Sequence, residues 1–184
     1  MTTTNEDGTL NVSPMGPRVD ETLQEFVLRP FQTSTTYKNL KRTGVGVFHV
    51  TDDVEMLAHA AVGELDPEPP TLACDTIAGR ILVGACRWFA VRVAELDDAT
   101  ERTTIVCRTV AQGEQRPFFG LNRAKHAVVE GAILATRLHL LAADEIAKQF
   151  DALRPLIEKT GGDAERRAFA FLDDYIKNKK HESV

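Results

Sequence analysis

Residues 33–36 set four hydroxyl side chains in a row, Thr33, Ser34, Thr35 and Thr36. Tyr37-Lys38-Asn39-Leu40 follows, which reads as a short helix with a lysine in its first turn. A helix start exposes backbone N–H groups without intrahelical acceptors and carries the positive end of the helix dipole. Hydroxyls placed there can donate to the oxygens of an anion, and a phosphate monoester needs several such donors. The same residue types also cap helices, one Ser or Thr closing the first turn while the others stand idle. Taken alone, the run favours capping.

Two further stretches have chemical potential. In Ser13-Pro14-Met15-Gly16-Pro17 the prolines cannot donate to a central ladder, so the backbone must leave the sheet or follow its edge. Gly16 would let the backbone approach a flat ring and offer it an N–H; a plain proline-bounded strand exit fits equally well. Around 122–137, Arg123, His126, Glu130 and Arg137 share one face of a helix of 3.6-residue period. Arg123 could reach a phosphate or a carboxylate. A solvated or interfacial salt-bridge stripe is the commoner meaning of such a face, and Asn122 reads as the helix N-cap.

The remaining reactive residue types form no motif. His49 lies within a strand and reads as a core or face residue; His59 and His139 lie in helical stretches without a partner pattern. No His, Cys, Asp and Glu spacing suggests a metal. Cys74, Cys86 and Cys107 are odd in number and widely spaced, so neither a disulfide framework nor a zinc motif is indicated, and free buried thiols are expected. Trp88 is the sole tryptophan and is expected in the core or at a dimer interface.

The elements that must position these groups follow from periodicity. Glu6-Asp7-Gly8-Thr9 is a hairpin turn between Thr2-Thr3-Thr4 and Leu10-Asn11-Val12-Ser13. The first strand is short and polar, so either it begins at the sheet edge or the chain starts downstream of its natural start. Strands are predicted over 22–28, 45–50, 81–83, 88–95 and 103–110, with the acidic link Asp97-Asp98-Ala99-Thr100 joining the last two as a hairpin. Helices are predicted over 37–43 and 54–62, the second after a Thr51-Asp52-Asp53 cap, with loops at 65–70 and 114–119. From Leu121 the pattern is helical: one long helix over 121–141, then a hairpin of two helices. Ile146, Phe150, Leu153 and Ile157 mark the first of these, and Ala168, Phe171, Leu172 and Tyr175 the second, with a break at Gly161-Gly162-Asp163. Residues 177–184 are expected to fray.

The chain's 184 residues suffice for one compact domain, or one with a helical appendage. A net charge of −5 argues against general binding to nucleic acid or an anionic membrane surface. The N-terminus lacks the pattern of a signal peptide and no apolar run would span a bilayer, so a cytoplasmic location is expected. Strands fill the first two-thirds and helices the end. That segregation indicates α+β, most simply a small antiparallel barrel with helices packed on it. No Gly-rich dinucleotide or P-loop fingerprint is present.

Three of these segments together resemble the FMN-binding split-barrel proteins, which include the flavin reductase-like proteins. Residues 2–16 resemble their opening hairpin, and 33–40 followed by 44–50 resemble their phosphate-binding loop, helix and next strand. Phe119-Gly120-Leu121-Asn122-Arg123-Ala124, leading to Glu130 and Arg137, is similar to a subgroup, domain of unknown function 447. The resemblance spans nearly the whole chain. It implies an antiparallel split β-barrel over 1–118 and a helical part over 119–184, packed on the barrel as one structural unit. It also implies a homodimer holding FMN in a groove at or near the subunit interface. Thr33, Ser34, Thr35 and Thr36 would take the FMN phosphate with Lys38 and Asn39 close by. Ser13, Pro14, Met15 and Gly16 would border the isoalloxazine ring, and Asn122 and Arg123 complete the candidate cofactor residues. No catalytic residue is implied. The resulting expectation is an FMN-binding protein acting as a flavin-dependent oxidoreductase of unspecified substrate, with a reduced nicotinamide or another reductant as hydride donor. The alternative is a non-catalytic dimer that carries or senses flavin or another anionic ligand.

Overall fold

The computed structural model describes residues 1–182 of the chain, with side chains through Lys179. It divides into two compact units, Met1–Thr51 with Glu68–Phe118, and Asp52–Pro67 with the residues from Phe119 onward.

The first unit is a mostly antiparallel β structure. Its elements are β1 (Thr2–Thr4), β2 (Leu10–Val12), β3 (Arg18–Val19), β4 (Glu25–Leu28), α1 (Thr35–Thr43) and β5 (Val45–Val50). They continue, after a helix of the other unit, with β6 (Thr71–Ala73), β7 (Arg80–Leu82), β8 (Arg87–Asp97) and β9 (Thr104–Glu114). Seven strands form one sheet in the order β2-β1-β5-β8-β9-β4-β3, and β6-β7 form a separate ribbon. The opening strand therefore lies inside the sheet, and β2 takes the edge.

This sheet must curl. Six spacings of about 4.8 Å would set β2 and β3 about 29 Å apart in a flat sheet, yet the link through 13–17 reaches at most about 21 Å. The ring of Phe26 in β4 stacks on that of Phe48 in β5 at 4.6 Å, although β8 and β9 lie between those strands. Period-2 alternation sorts the side chains onto two faces. On one, Phe26, Leu28, Phe48, Phe89, Val91 and Ile105 pack with Tyr37 and Leu40 of α1. On the other, Val45, Val47 and Ala90 pack with Cys74, Ile77 and Ile81 from the β6–β7 region. Trp88 sits on this second face, where a Cβ at Gly113 would come within 2.6 Å of its indole, so the cross-strand position is closed to larger residues.

The second unit consists of helices α2 (Val54–Val62), α3 (Arg123–Ala135), α4 (Ala143–Thr160) and α5 (Asp163–Glu182). Its core joins Val54 and Ala58 of α2 to Val128, Phe150 and Leu172, with the Phe150 and Phe169 rings stacked at 4.3 Å. Gly131 lets α3 approach Phe150, whose ring would lie 3.0 Å from a Cβ there.

Several boundaries differ from the sequence reading. The helix over 54–62, which a division at 118/119 leaves with the strands, packs among the late helices, because its buried Val54 and Ala58 complete their core. The long helix expected over 121–141 ends at Ala135. Thr136 turns its hydroxyl back onto the Ile133 carbonyl at 2.8 Å, competing with the helical ladder, and residues 136–140 form turns. Arg137 thus leaves the stripe of Arg123, His126 and Glu130, and His139 lies in a turn. The β6 strand was not foreseen, since Thr71-Leu72-Ala73 is too short to show alternation. At the end, α5 runs on to Glu182 where fraying was expected; residues 183–184 of that stretch lie outside the described residues.

Candidate functional site

The hydroxyl run forms the start of α1. Ser34 is the N-cap, in extended backbone (φ −71°, ψ 144°), and its Oγ accepts the Tyr37 N–H at 3.2 Å. The helix begins two residues earlier than its apolar pattern suggests, so Thr35 and Thr36 are its first two residues. Their N–H groups are beyond the reach of any intrahelical carbonyl. The hydroxyls then divide. Thr36 is 2% exposed, and its Oγ1 accepts from Asn11 Nδ2 at 3.2 Å. Thr33 and Thr35 are exposed, and their hydroxyls have no partner among the described residues. Lys38 is exposed and has no carboxylate partner among the described residues.

The β1–β2 hairpin fixes one side of this helix. Asn39, expected beside the phosphate, instead turns inward at 4% exposure. Its Nδ2 donates to Thr3 Oγ1 at 3.0 Å and to Asn5 Oδ1 at 2.8 Å. Asn11, paired with Thr3 across the hairpin, donates to the same Thr3 oxygen at 2.9 Å. Burial without these partners would cost each amide about 1–3 kcal/mol, so Thr3, Asn5, Asn11, Thr36 and Asn39 lock helix to hairpin. Thr3, Asn5 and Asn11 of the hairpin were the signal for this lock, which the polarity of a short strand does not single out.

The tip of the β8–β9 hairpin fixes the other side. The Gln32 N–H donates to the Glu101 carbonyl at 2.9 Å, and its side-chain amide donates to the carbonyls of Asp98 and Thr100 at 2.7 and 3.0 Å. Thr103, fully buried, donates both its N–H and its hydroxyl to the Pro30 carbonyl, each at 2.9 Å. Asp98 Oδ2 accepts from Tyr37 Oη and from Lys41 Nζ, both at 2.7 Å. These hydrogen bonds to Asp98 and Tyr37 hold Lys41 above the usual lysine range, and they keep the Asp98 carboxyl below the usual carboxylate range. Lys41 is therefore spent inside the chain, whereas Lys38, one turn earlier, is not.

The 13–17 link leaves the sheet between its two edge strands, as its prolines require. Ser13 closes the β1 ladder through its N–H, which donates to the Met1 carbonyl at 2.9 Å. Pro14 is half-buried, and Met15 packs against the same cluster as Tyr37 and Leu40 of α1, so these residues and α1 border one face of the sheet. Gly16 is exposed, and a Cβ there would meet nothing within 4 Å, so no contact inside the chain demands glycine.

Asn122 and Arg123 belong to the helical unit. Asn122 is the N-cap of α3, accepting the Lys125 N–H at 3.0 Å, and Arg123 is exposed. Lys125, the other base of this first turn, is consumed within the chain. Lys125 Nζ reaches Glu165 Oε1 at 2.7 Å and the Asp52 carbonyl at 2.8 Å, while Asp52 Oδ2 accepts the Phe119 N–H at 2.7 Å.

Elsewhere the chemistry is quiet. All three cysteines are buried, and burial pushes the Cys107 thiol up to about 12. Burial, with a smaller contribution from the chain's amino terminus, lowers His49 to about 3. His49 is therefore a neutral imidazole whose Nε2 accepts the Leu82 N–H at 3.0 Å. Among the described residues no cluster of three or more His, Cys, Asp or Glu could hold a metal, and no helix is long and apolar enough to cross a membrane. A cavity of about 590 Å³, lined by Thr4, Leu10, Glu68, Cys74, Ile77 and Arg80, includes none of the candidate cofactor residues. Thr2 and Thr4 point toward its side of the sheet; Thr3, between them, points to α1.

The chain matches the protein family of unknown function DUF447, its N-terminal domain over residues 1–116 and its C-terminal part over residues 122–174. No curated protein matches it in sequence. Among solved structures, an FMN-bound protein of the same family from Methanosarcina mazei superposes with a TM-score of 0.80 at 20% identity, over 95% of this chain and 91% of that one. A 2-nitrobenzoate 2-nitroreductase from Pseudomonas fluorescens superposes with a TM-score of 0.53 at 16% identity, over 61% of each chain. The flavin reductase of styrene monooxygenase from Pseudomonas putida S12 gives 0.50 at 15% identity, over 63% of this chain and 78% of that one. These likenesses concern the fold.

Proposed function

The chain belongs to the DUF447 family, and from that premise we propose that it binds FMN, with the phosphate at the start of α1 and the ring along Ser13, Pro14, Met15 and Gly16. One observation carries the reading. The start of α1 offers the N–H groups of Thr35 and Thr36, the hydroxyls of Thr33 and Thr35 and the ammonium of Lys38, the side chains being without partners among the described residues. That is the donor set a phosphate dianion needs. The fold around it is shared with an FMN-bound member of the family.

Each residue has a defined part. Ser34 and the Asn39 network hold the helix start in place, Thr33 and Thr35 donate, and Lys38 balances charge. The open space at Gly16 leaves room for a flat ring against the backbone. The curl of the sheet and the short link between its edge strands support closure into a split barrel, and a homodimer completing the groove follows the family resemblance. A flavin bound there would supply electron transfer, with the protein setting its orientation and surroundings. The absence of a dinucleotide fingerprint in the sequence suits a reduced nicotinamide that visits transiently. In the alternative reading the same groove serves a carrier or sensor.

Purified chain dialysed against FMN should retain a flavin absorption spectrum and melt at a higher temperature. A colourless protein with an unmoved melt overturns the reading. Replacing Thr33 and Thr35 together with Val should weaken FMN about tenfold or more while leaving riboflavin affinity and the melt unchanged. Thr36 is unsuitable for this test because its hydroxyl serves the hairpin lock. Oxidation of NADH or NADPH by the loaded protein, beyond that with free FMN, separates reductase from carrier.

A further inference from the structure

We propose that Arg102 is a second cationic ligand of the phosphate group at the start of α1, supplied by the tip of the β8–β9 hairpin; this rests on the FMN reading above. Arg102 lies between two residues tied to the loop that leads into α1. Glu101 accepts the Gln32 N–H at 2.9 Å, and Thr103 donates twice to the Pro30 carbonyl. Its backbone is thereby held in an isolated antiparallel bridge opposite Phe31. Phe31 is in turn the first residue of the turn that carries the hydroxyls, since its carbonyl accepts the Ser34 N–H at 3.0 Å. Arg102 is thus anchored beside residues 31–34 even though some 70 residues separate them in sequence.

Its charge is available. The guanidinium rests over the exposed Phe31 ring, 4.9 Å from the centroid, and has no carboxylate partner among the described residues. Of the acids at this tip, Asp98 is taken by Lys41 and Tyr37, Asp97 accepts the Ala99 N–H at 3.1 Å, and Glu101 forms no ion pair with Arg102 among the described residues. By contrast, Arg108 is paired with Glu25 at 2.8 Å and Arg167 with Glu55 at 2.8 Å. An aromatic face orients a guanidinium without consuming its N–H donors, and the planar fork suits two phosphate oxygens at once. Lys38 and Arg102 then approach from the helix and from the hairpin tip, and the site selects for a dianionic phosphate over neutral riboflavin.

Titrating the full chain with FMN and with riboflavin tests this, comparing wild type, Arg102→Gln and Arg102→Lys at two salt concentrations. Wild type should prefer FMN. R102Q should lose about tenfold or more on FMN, nothing on riboflavin, and part of the salt dependence, and R102K should recover some of the loss. If wild type prefers FMN and R102Q keeps both that preference and its salt dependence, Arg102 is not a ligand, while the α1 site stands. If wild type shows no preference, the phosphate site at α1 falls and Arg102 with it. A melt of R102Q within about one degree of wild type is expected, because the side chain is exposed and no hydrogen bond is lost.

Discussion

At Ser34 and at Asn122 a short polar side chain in extended backbone caps a helix, accepting the N–H of Tyr37 at 3.2 Å and of Lys125 at 3.0 Å. Both starts carry basic residues in the first turn, Lys38 at α1 and the exposed Arg123 with Lys125 at α3, and both looked, from sequence, like places for an anion. Their surroundings differ. At α3 the lysine is 18% exposed and sealed against Glu165, itself 9% exposed, while Asp52 takes the incoming Phe119 N–H. At α1 the lysine faces solvent, two hydroxyls have no partner among the described residues, and Asp98 of the adjoining hairpin tip serves Lys41. A helix start is therefore diagnostic only after its donors are traced to their acceptors. Donors satisfied within the chain hold the fold together; donors left open by a rigid frame can serve a ligand.

The largest effect expected from that contrast is on stability. Lys125→Met leaves the Glu165 carboxylate buried without its cation, and should cost about 3–5 kcal/mol in denaturant or thermal unfolding, with flavin affinity unchanged. Lys125→Met combined with Glu165→Gln should recover much of that loss. A K125M protein as stable as wild type would remove the distinction between the two helix starts.

The pH dependence sharpens the same point. Burial acts to raise the Glu165 carboxyl, but the Lys125 ion pair and the Gly162 N–H outweigh it and hold it below the ordinary value of 4.5. A carboxyl lowered in the folded state contributes stability above its unfolded value, and that contribution fades as pH falls through the folded value. The stability gap between wild type and K125M should therefore be full at neutral pH and shrink below about pH 4.5. A gap that widens on acidification would contradict the assignment.

The smallest effects separate capping from binding. Ser34→Ala and Asn122→Ala should each cost about 1 kcal/mol. Only S34A should also lower FMN affinity, a few-fold, by loosening the turn that carries Thr33 and Thr35. Equal flavin affinities in the two variants would mean that the α1 start has no special role.

Much of this fold was legible in the chain. The Asp7-Gly8 turn, the 45–50 strand and the α2 limits follow from local signals that depend on a few adjacent residues. The ends of β8 and β9 and the stop of α3 at Ala135 were not legible, because pairing across strands and a single Thr136 hydroxyl decided them. The site was legible in the same partial way. The run at 33–36 marked the start of a helix, but nothing local told Thr33 and Thr35 from Thr36, or Lys38 from Lys41.

By itself the sequence determined that hydroxyls, a lysine and a helix start would coincide at 33–38, since residue type and the 3.6 period are properties of the chain alone. Tertiary structure decided which of those groups remain open. Asn11 reaches Thr36, Thr3 and Asn5 take Asn39, and Asp98 takes Lys41. Each partner comes from a segment distant in sequence, brought in by strand register. A hydrogen bond is directional and short, so which donors are consumed depends on positions fixed to within an ångström by packing, which no spacing along the chain specifies.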